Sequence, residues 1–168
     1  MINPENVQKF KSYGFVLTPV IKSKNPNEDK KPVSKNGTWH KDWNDQELLD
    51  ASRIGAYHRD SKIFDVDFDD KEYNAHKFMD LLPPTFTIGK KVNGRAVATH
   101  LIYRTKDKVK DYKKAQPLVE LLANTQTIIA GVDRIIINDQ EPIYYSAEDI
   151  RAECKLIATF SELYKHSK

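Results

Sequence analysis

Apolar and polar positions alternate along several stretches of the chain and recur at helical spacing along others. "FVLTPVI" (15–21), "RIGAY" (53–57), "KIFDVDF" (62–68), 85–91, 95–104, "LVELL" (118–122) and "TQTIIA" (125–130) predict strands. "RIGAY" and "KIFDVDF" read as a strand pair joined around His58, Arg59 and Asp60. Asn93-Gly94 predicts a tight hairpin, and "RIIINDQEPIYY" a second one turning between Asn138 and Pro142. Val7 and Phe10, set between Asn3-Pro4 and Gly14, predict a short capped helix. A second helix opens at Asn44 or Asp45 and runs to about Ser52. A third is capped by Asp69 or Asp70 and stopped after Leu82 by Pro83-Pro84. Ser146 with Asp149 resembles a capping box, opening a last helix whose Ile150, Ile157, Phe160 and Tyr164 would face the core. This order predicts an α/β (α+β) protein with a mostly antiparallel sheet and helices packed on it.

Composition narrows the class without naming a function. At 168 residues the chain suits a single domain spanning 1–168, and 39% hydrophobic with 30% charged residues is ordinary for a globular protein. No apolar run approaches the roughly 18 residues of a membrane span, so an intracellular, cytoplasmic protein with no membrane partner is expected. The single Cys154 excludes an internal disulfide and any multi-cysteine zinc site. A net charge of +3 is too small to imply nucleic acid, but lysine is concentrated in two regions. Residues 22–41, rich in Asn and Pro, predict a long mobile loop, and 104–114 holds six basic residues against Asp107 and Asp111. Either run, taken alone, also reads as a solvated surface.

The chemistry begins at "IFDVDFDD" (63–70), where four aspartates sit among apolar residues. In a strand, Phe64, Val66 and Phe68 share one face, and Asp65, Asp67 and Asp69 the other, about 6–7 Å apart along the chain. Such a row repels itself unless a cation lies within it, and a divalent metal is the economical answer. Lysines on a neighbouring strand are the plainer one. Two further polar residues interrupt apolar strands: His100 in "AVATHLIYR", with Ala96 and Ala98 expected beside it as a shallow floor, and Glu120 in "PLVELLA". Each alone has an ordinary structural reading.

The ordered set Asp-x-Asp, small-x-His after a glycine-bearing turn, then hydrophobic-acid-hydrophobic resembles the archaeo-eukaryotic primase superfamily. It looks closest to the primase–polymerase (prim-pol) domains of phages and plasmids. "KKP" (30–32) with Trp43, "RIGAYHRDSKIFDVDFDD", and the segment 131–145 extend the likeness over roughly residues 15–145. Ala98 departs from the serine common in that family, and Leu122 from its basic residue.

The resemblance implies an RNA-recognition-like catalytic module with an N-terminal α/β lobe. It implies a template-directed DNA primase or polymerase acting in replication. Asp65, Asp67 and Glu120 would be the catalytic metal ligands for two Mg²⁺ or Mn²⁺ ions. His100 would bind the nucleotide, with Arg59, Lys106 and Arg134 as further nucleotide-binding candidates. Lys30, Lys31, Lys108 and Lys110 would contact nucleic-acid phosphates. Partners would be a single-stranded DNA template with primer, dNTP or NTP, and a helicase in cis or trans. A metal-dependent nuclease or phosphohydrolase, and a catalytically silent single-stranded nucleic-acid-binding module, remain alternatives.

Overall fold

A computed structural model describes residues 2–35, 38–39, 42–69, 72, 74–111 and 119–167, with 38–39 described for their backbone alone. It is a mixed α+β fold whose sheets are antiparallel throughout. Helix α1 (Pro4–Ser12) precedes β1 (Leu17–Val20), β2 (Ser34–Lys35), β3 (Thr38–Trp39), α2 (Asp45–Leu49) and β4 (Arg53–Tyr57). A single turn, α3 (His58–Ser61), leads to β5 (Ile63–Asp67), and a 3₁₀ helix (Ala75–Leu81) leads to β6 (Phe86–Val92). Then come β7 (Arg95–Arg104), β8 (Glu120–Leu122), β9 (Gln126–Gly131), β10 (Ile135–Asn138) and α4 (Ala147–His166).

The strands form three sheets, ordered β1-β4-β9, β10-β6-β7-β5-β8 and β2-β3. The expected pairing of "RIGAY" with "KIFDVDF" is therefore corrected, because β4 and β5 belong to different sheets. The cause is local: α3 ends on Lys62 in the left-handed region (φ 52), which turns the chain out of one sheet and into the other.

Side-chain alternation along β5 divides the core. Phe64 and Val66 join Leu101, Tyr103 and Leu121 beneath Ile150, Cys154 and Ile157 of α4. On the opposite face, Ile63, Ile88 and Ile102 meet Val7 and Phe10 of α1 and Leu17, Ile54 and Ile129 of the three-stranded sheet. Each fully buried residue of this size contributes about 1.5–3 kcal/mol. One face of the five-stranded sheet is thus covered by helix and the other partly by a second sheet. Asp65 and Asp67 point to that second face.

Local chemistry explains most element ends. Asn3 accepts from the Asn6 N–H at 2.8 Å, Asn44 and Glu47 form a reciprocal capping box, and Ser146 accepts from the Asp149 N–H at 3.3 Å. Asn93 (φ 50) and Gly94 (φ 78) make the β6–β7 hairpin turn, where both positions need left-handed backbone.

Several expectations are corrected. The helix after β5 is a 3₁₀ helix whose end at Asn74 has no side-chain cap, while Asp69 lies well before it and Asp70 outside the described residues. The second hairpin has only one strand, since 143–145 meets the end of β7 through a single parallel bridge, Arg104 with Tyr144. Phe160 is 40% exposed, because Cys154, Ile157, Ala158 and Ser161 form the inward stripe of α4. The start of the loop after β1 is strapped back, with the Ile21 N–H donating to Lys31 O and the Lys30 N–H to Ile21 O. Among the described residues no helix is long and apolar enough to cross a membrane.

Candidate functional site

The register of three adjacent strands sets the site. Asp67 of β5 lies directly opposite His100 of β7 and directly opposite Glu120 of β8. Asp65, two residues earlier, lies opposite Ile102 and Leu122 and so shares their face. Residues directly opposite in antiparallel strands bring their Cβ atoms within about 4.5–5.5 Å. Two acids from distant sequence and a histidine therefore stand in one row across the sheet, with a third acid one step along it.

Asp65 is fully buried, which is costly for a carboxylate unless donors surround it. Its Oδ2 accepts from the Thr127 hydroxyl at 2.5 Å and meets His100 Nδ1 at 2.8 Å. Thr127 belongs to β9, so the first bond crosses from one sheet to the other. Behind it, Thr127 Oγ1 is 2.8 Å from His58 Nε2, and His58 Nδ1 accepts the Thr125 N–H at 3.3 Å. Because Nδ1 is an acceptor, the neutral ring carries its proton on Nε2 and donates to the threonine. Burial pushes the His58 pKa down to about 4, outweighing the pull of Asp65 and Asp111, so the ring is neutral at physiological pH. A chain of donors thus runs His58 to Thr127 to Asp65, and His100 closes it from the other side.

His100 is held protonated more strongly than an ordinary histidine. Burial opposes its charge and Arg134 adds to that opposition, but the Asp65 carboxylate, its hydrogen bond and Asp67 outweigh both. Nδ1 is also 3.5 Å from Asp67 Oδ1. Asp67 moves the other way from a normal acid: burial, then Asp65, Asp69 and Glu120, raise it to about 6 against the pull of His100. The row is electrostatically frustrated.

Two observations bear on a metal. Asp65 Oδ1 is buried and has no hydrogen-bond partner among the described residues, a lone pair left without a donor. Among the described residues, no group of three or more His, Cys, Asp or Glu side chains stands gathered as a ready cage. The residue types suit a hard, oxygen-seeking divalent ion, and Asp65 and Asp67 both approach the same His100 nitrogen, at 2.8 and 3.5 Å.

Arg134 lies close enough to His100 to disfavour its charge, with Nε donating to Ile128 O at 3.3 Å. The other expected contacts fall elsewhere. Lys106, Lys108, Lys110 and Arg59 cluster at the opposite end of β5, where Ile63 pairs with Arg104. That end lies about 13 Å along the strand from Asp67, so Lys106 and Arg59 do not join His100. Lys30 and Lys31 are also apart. Gln126 donates to Lys30 O at 2.9 Å and alternates with Thr127, which places Lys30 on the outer face of β9. The alanine floor is corrected too, since β7 bulges between Ala98 and His100, opposite Ile88 and Gly89. A Cβ at Gly89 would collide with the Val97 carbonyl oxygen, so only glycine lets the strands approach there.

Thr127 and His58 are the residues that sequence reading underrated. Threonine is common in strands, so "TQTIIA" carried no signal of a hydroxyl aimed at a carboxylate. No protein-family model matches the chain. No curated protein matches it either.

Proposed function

We propose that the chain is a template-directed nucleotidyltransferase of the primase–polymerase type. The observation that carries the reading is Asp67 standing opposite both His100 and Glu120, with the orphaned Asp65 Oδ1 one step along the same face. The strand order β6-β7-β5-β8, with a helical crossover between β5 and β6, supports an RNA-recognition-like module, since the split β-α-β arrangement has this order. The three-stranded sheet with α1 and α2 would be the N-terminal lobe.

In this reading Asp65, Asp67 and Glu120 would hold Mg²⁺ or Mn²⁺, which when bound lowers the pKa of an attacking hydroxyl and neutralises the leaving pyrophosphate. The raised pKa of Asp67 comes first from burial and then from Asp65, Asp69 and Glu120, and a cation bound in the row would lower it. Thr127 and His100 fix Asp65 by its Oδ2 and leave Oδ1 as the free donor. His100 is 14% exposed and its neighbours favour the charged ring; when protonated it offers an Nε2 proton to a phosphate oxygen, and Arg134 is the second cation on that side. A charge-assisted contact of this kind is worth about 1.5–3 kcal/mol.

One other reading is a single-stranded nucleic-acid-binding module without turnover, which the same row of polar groups and the exposed lysines after β7 would serve. One assay separates the two: extension of a primed and an unprimed DNA template in Mg²⁺ and in Mn²⁺, with Asp67→Asn alongside. Metal-dependent synthesis lost in that variant supports the polymerase. Template binding without synthesis in either metal overturns it.

A further inference from the structure

At the end of β5 remote from Asp67, the fold forms an open-mouthed cavity of about 580 Å³ that the proposed chemistry does not use. The size suits a small organic ligand. Arg59 and Lys62 enter it from the α3 turn, Lys106, Lys108 and Lys110 from the segment after β7, and Asn124 from the β8–β9 turn. Among the described residues, five cations thus line one space against a single lining acid, Asp107. Like charges so gathered repel one another unless an anion lies among them.

The wall is built by specific bonds. Asn124 Oδ1 accepts from Arg59 Nε at 2.9 Å, and Asn124 Nδ2 donates to Asp111 Oδ1 at 2.8 Å. The same Asp111 oxygen accepts the Ala123 N–H at 2.8 Å, and Lys62 O accepts the Thr105 N–H at 2.9 Å. Asp111 Oδ1 is thus held by two neutral N–H donors, and its charge stays beside the cavity without lining it. Among the described residues Arg59 is oriented through Nε, and its two terminal nitrogens form the fork that suits phosphate oxygens. Val109 and Ala123 add apolar surface beside the cations.

We propose that this cavity is a separate phosphate-binding site, taking a phosphate-bearing ligand of nucleotide size. The phosphate lies among Arg59, Lys62 and the lysines of 106–110, and the uncharged part of the ligand packs on Val109 and Ala123. The source is either a free nucleotide or the 5′-phosphorylated end of a nucleic-acid strand. No metal is required, so the site stands or falls independently of the polymerase reading.

The test is titration calorimetry in EDTA with inorganic phosphate, dAMP, and a thymidine hexanucleotide bearing either a 5′-phosphate or a 5′-hydroxyl. The expected result is binding of dAMP, or a preference for the phosphorylated hexanucleotide, and whichever binds tighter identifies the source. Arg59→Ala, and separately Lys108→Ala with Lys110→Ala, should each weaken it roughly tenfold. These residues are exposed, so both variants should fold, and two variants from different elements guard against a local defect. Asp67→Asn should leave this binding unchanged. The proposal is overturned by equal affinity for the two hexanucleotides with no dAMP binding. Phosphate binding that dAMP does not improve, or affinity indifferent to both cavity variants, overturns it equally.

Discussion

Thr127 donates its hydroxyl proton to Asp65 across the gap between the two sheets, at 2.5 Å. The bond joins β9 to β5 at the one fully buried carboxylate of the site. Thr127→Val keeps the shape and removes the donor, which leaves buried Asp65 Oδ2 to His100 and takes away the partner of His58 Nε2. The expected loss is about 1–3 kcal/mol in stability, read by urea unfolding, with Thr127→Ser restoring most of it. Full stability in the valine variant would show that the carboxylate does not need this donor.

Asp67 makes the fold weaker at neutral pH. With its pKa at about 6 against an ordinary 3.8, the charged form is disfavoured in the folded state. The folded chain then binds more protons than the unfolded one between those values, so stability falls as pH rises through them. His58 tilts the opposite way, because its pKa of about 4 makes stability fall as pH drops below 6.5. Comparing Asp67→Asn with the wild type cancels the histidine. In chelator, the variant should gain about 1–2 kcal/mol at pH 8, roughly a third of that at pH 4.5, and almost nothing below about pH 3.5. Equal melting curves at pH 8 would mean that the acidic row is not strained.

His100 was expected to sit on an open floor and to be removable at little cost. Its pairing with Asp65 changes that. A histidine with a raised folded pKa stabilises fully below its unfolded value of 6.5 and less as pH climbs through the folded one. His100→Ala should therefore cost about 1–3 kcal/mol at pH 6 and clearly less at pH 9. It should also weaken nucleotide binding. A penalty independent of pH would argue against a charged ring.

The lysines after β7 give a fourth expectation. Affinity for single-stranded DNA should fall with salt at a log–log slope of about −0.7 for each phosphate neutralised. Replacing Lys106, Lys108 and Lys110 together by alanine should flatten that slope. A slope unaltered in the triple variant returns these residues to plain solvated surface.

Local signals in the sequence were reliable where the physics is local. Asn3, Asn44 and Ser146 cap as their neighbours require, and Asn93-Gly94 turns as left-handed backbone demands. The row of Asp65, Asp67, His100 and Glu120 was also legible, because each is a polar exception on an apolar strand. What stayed hidden depended on which strands become neighbours. The αL turn at Lys62 sends β4 and β5 into different sheets, and only that separation lets Thr127 come down on Asp65. The same long-range placement puts Lys106 far from His100, although six residues of sequence suggested otherwise.

Arg53 binds the periphery of this arrangement together. Its guanidinium is nearly buried and meets Asp29 at 2.7 Å and Asp133 at 3.0 Å, one from the loop after β1 and one from the β9–β10 turn. Opening that loop on its own would strip a buried cation of one counter-charge, so its amides should not exchange as those of a free loop do. The Lys30 and Lys31 amides, bonded within the strap, should instead exchange with solvent deuterium on the slow timescale of β4 and β9. The described strap of residues 21–31 and the turn that bears Arg134 should then open as one cooperative unit.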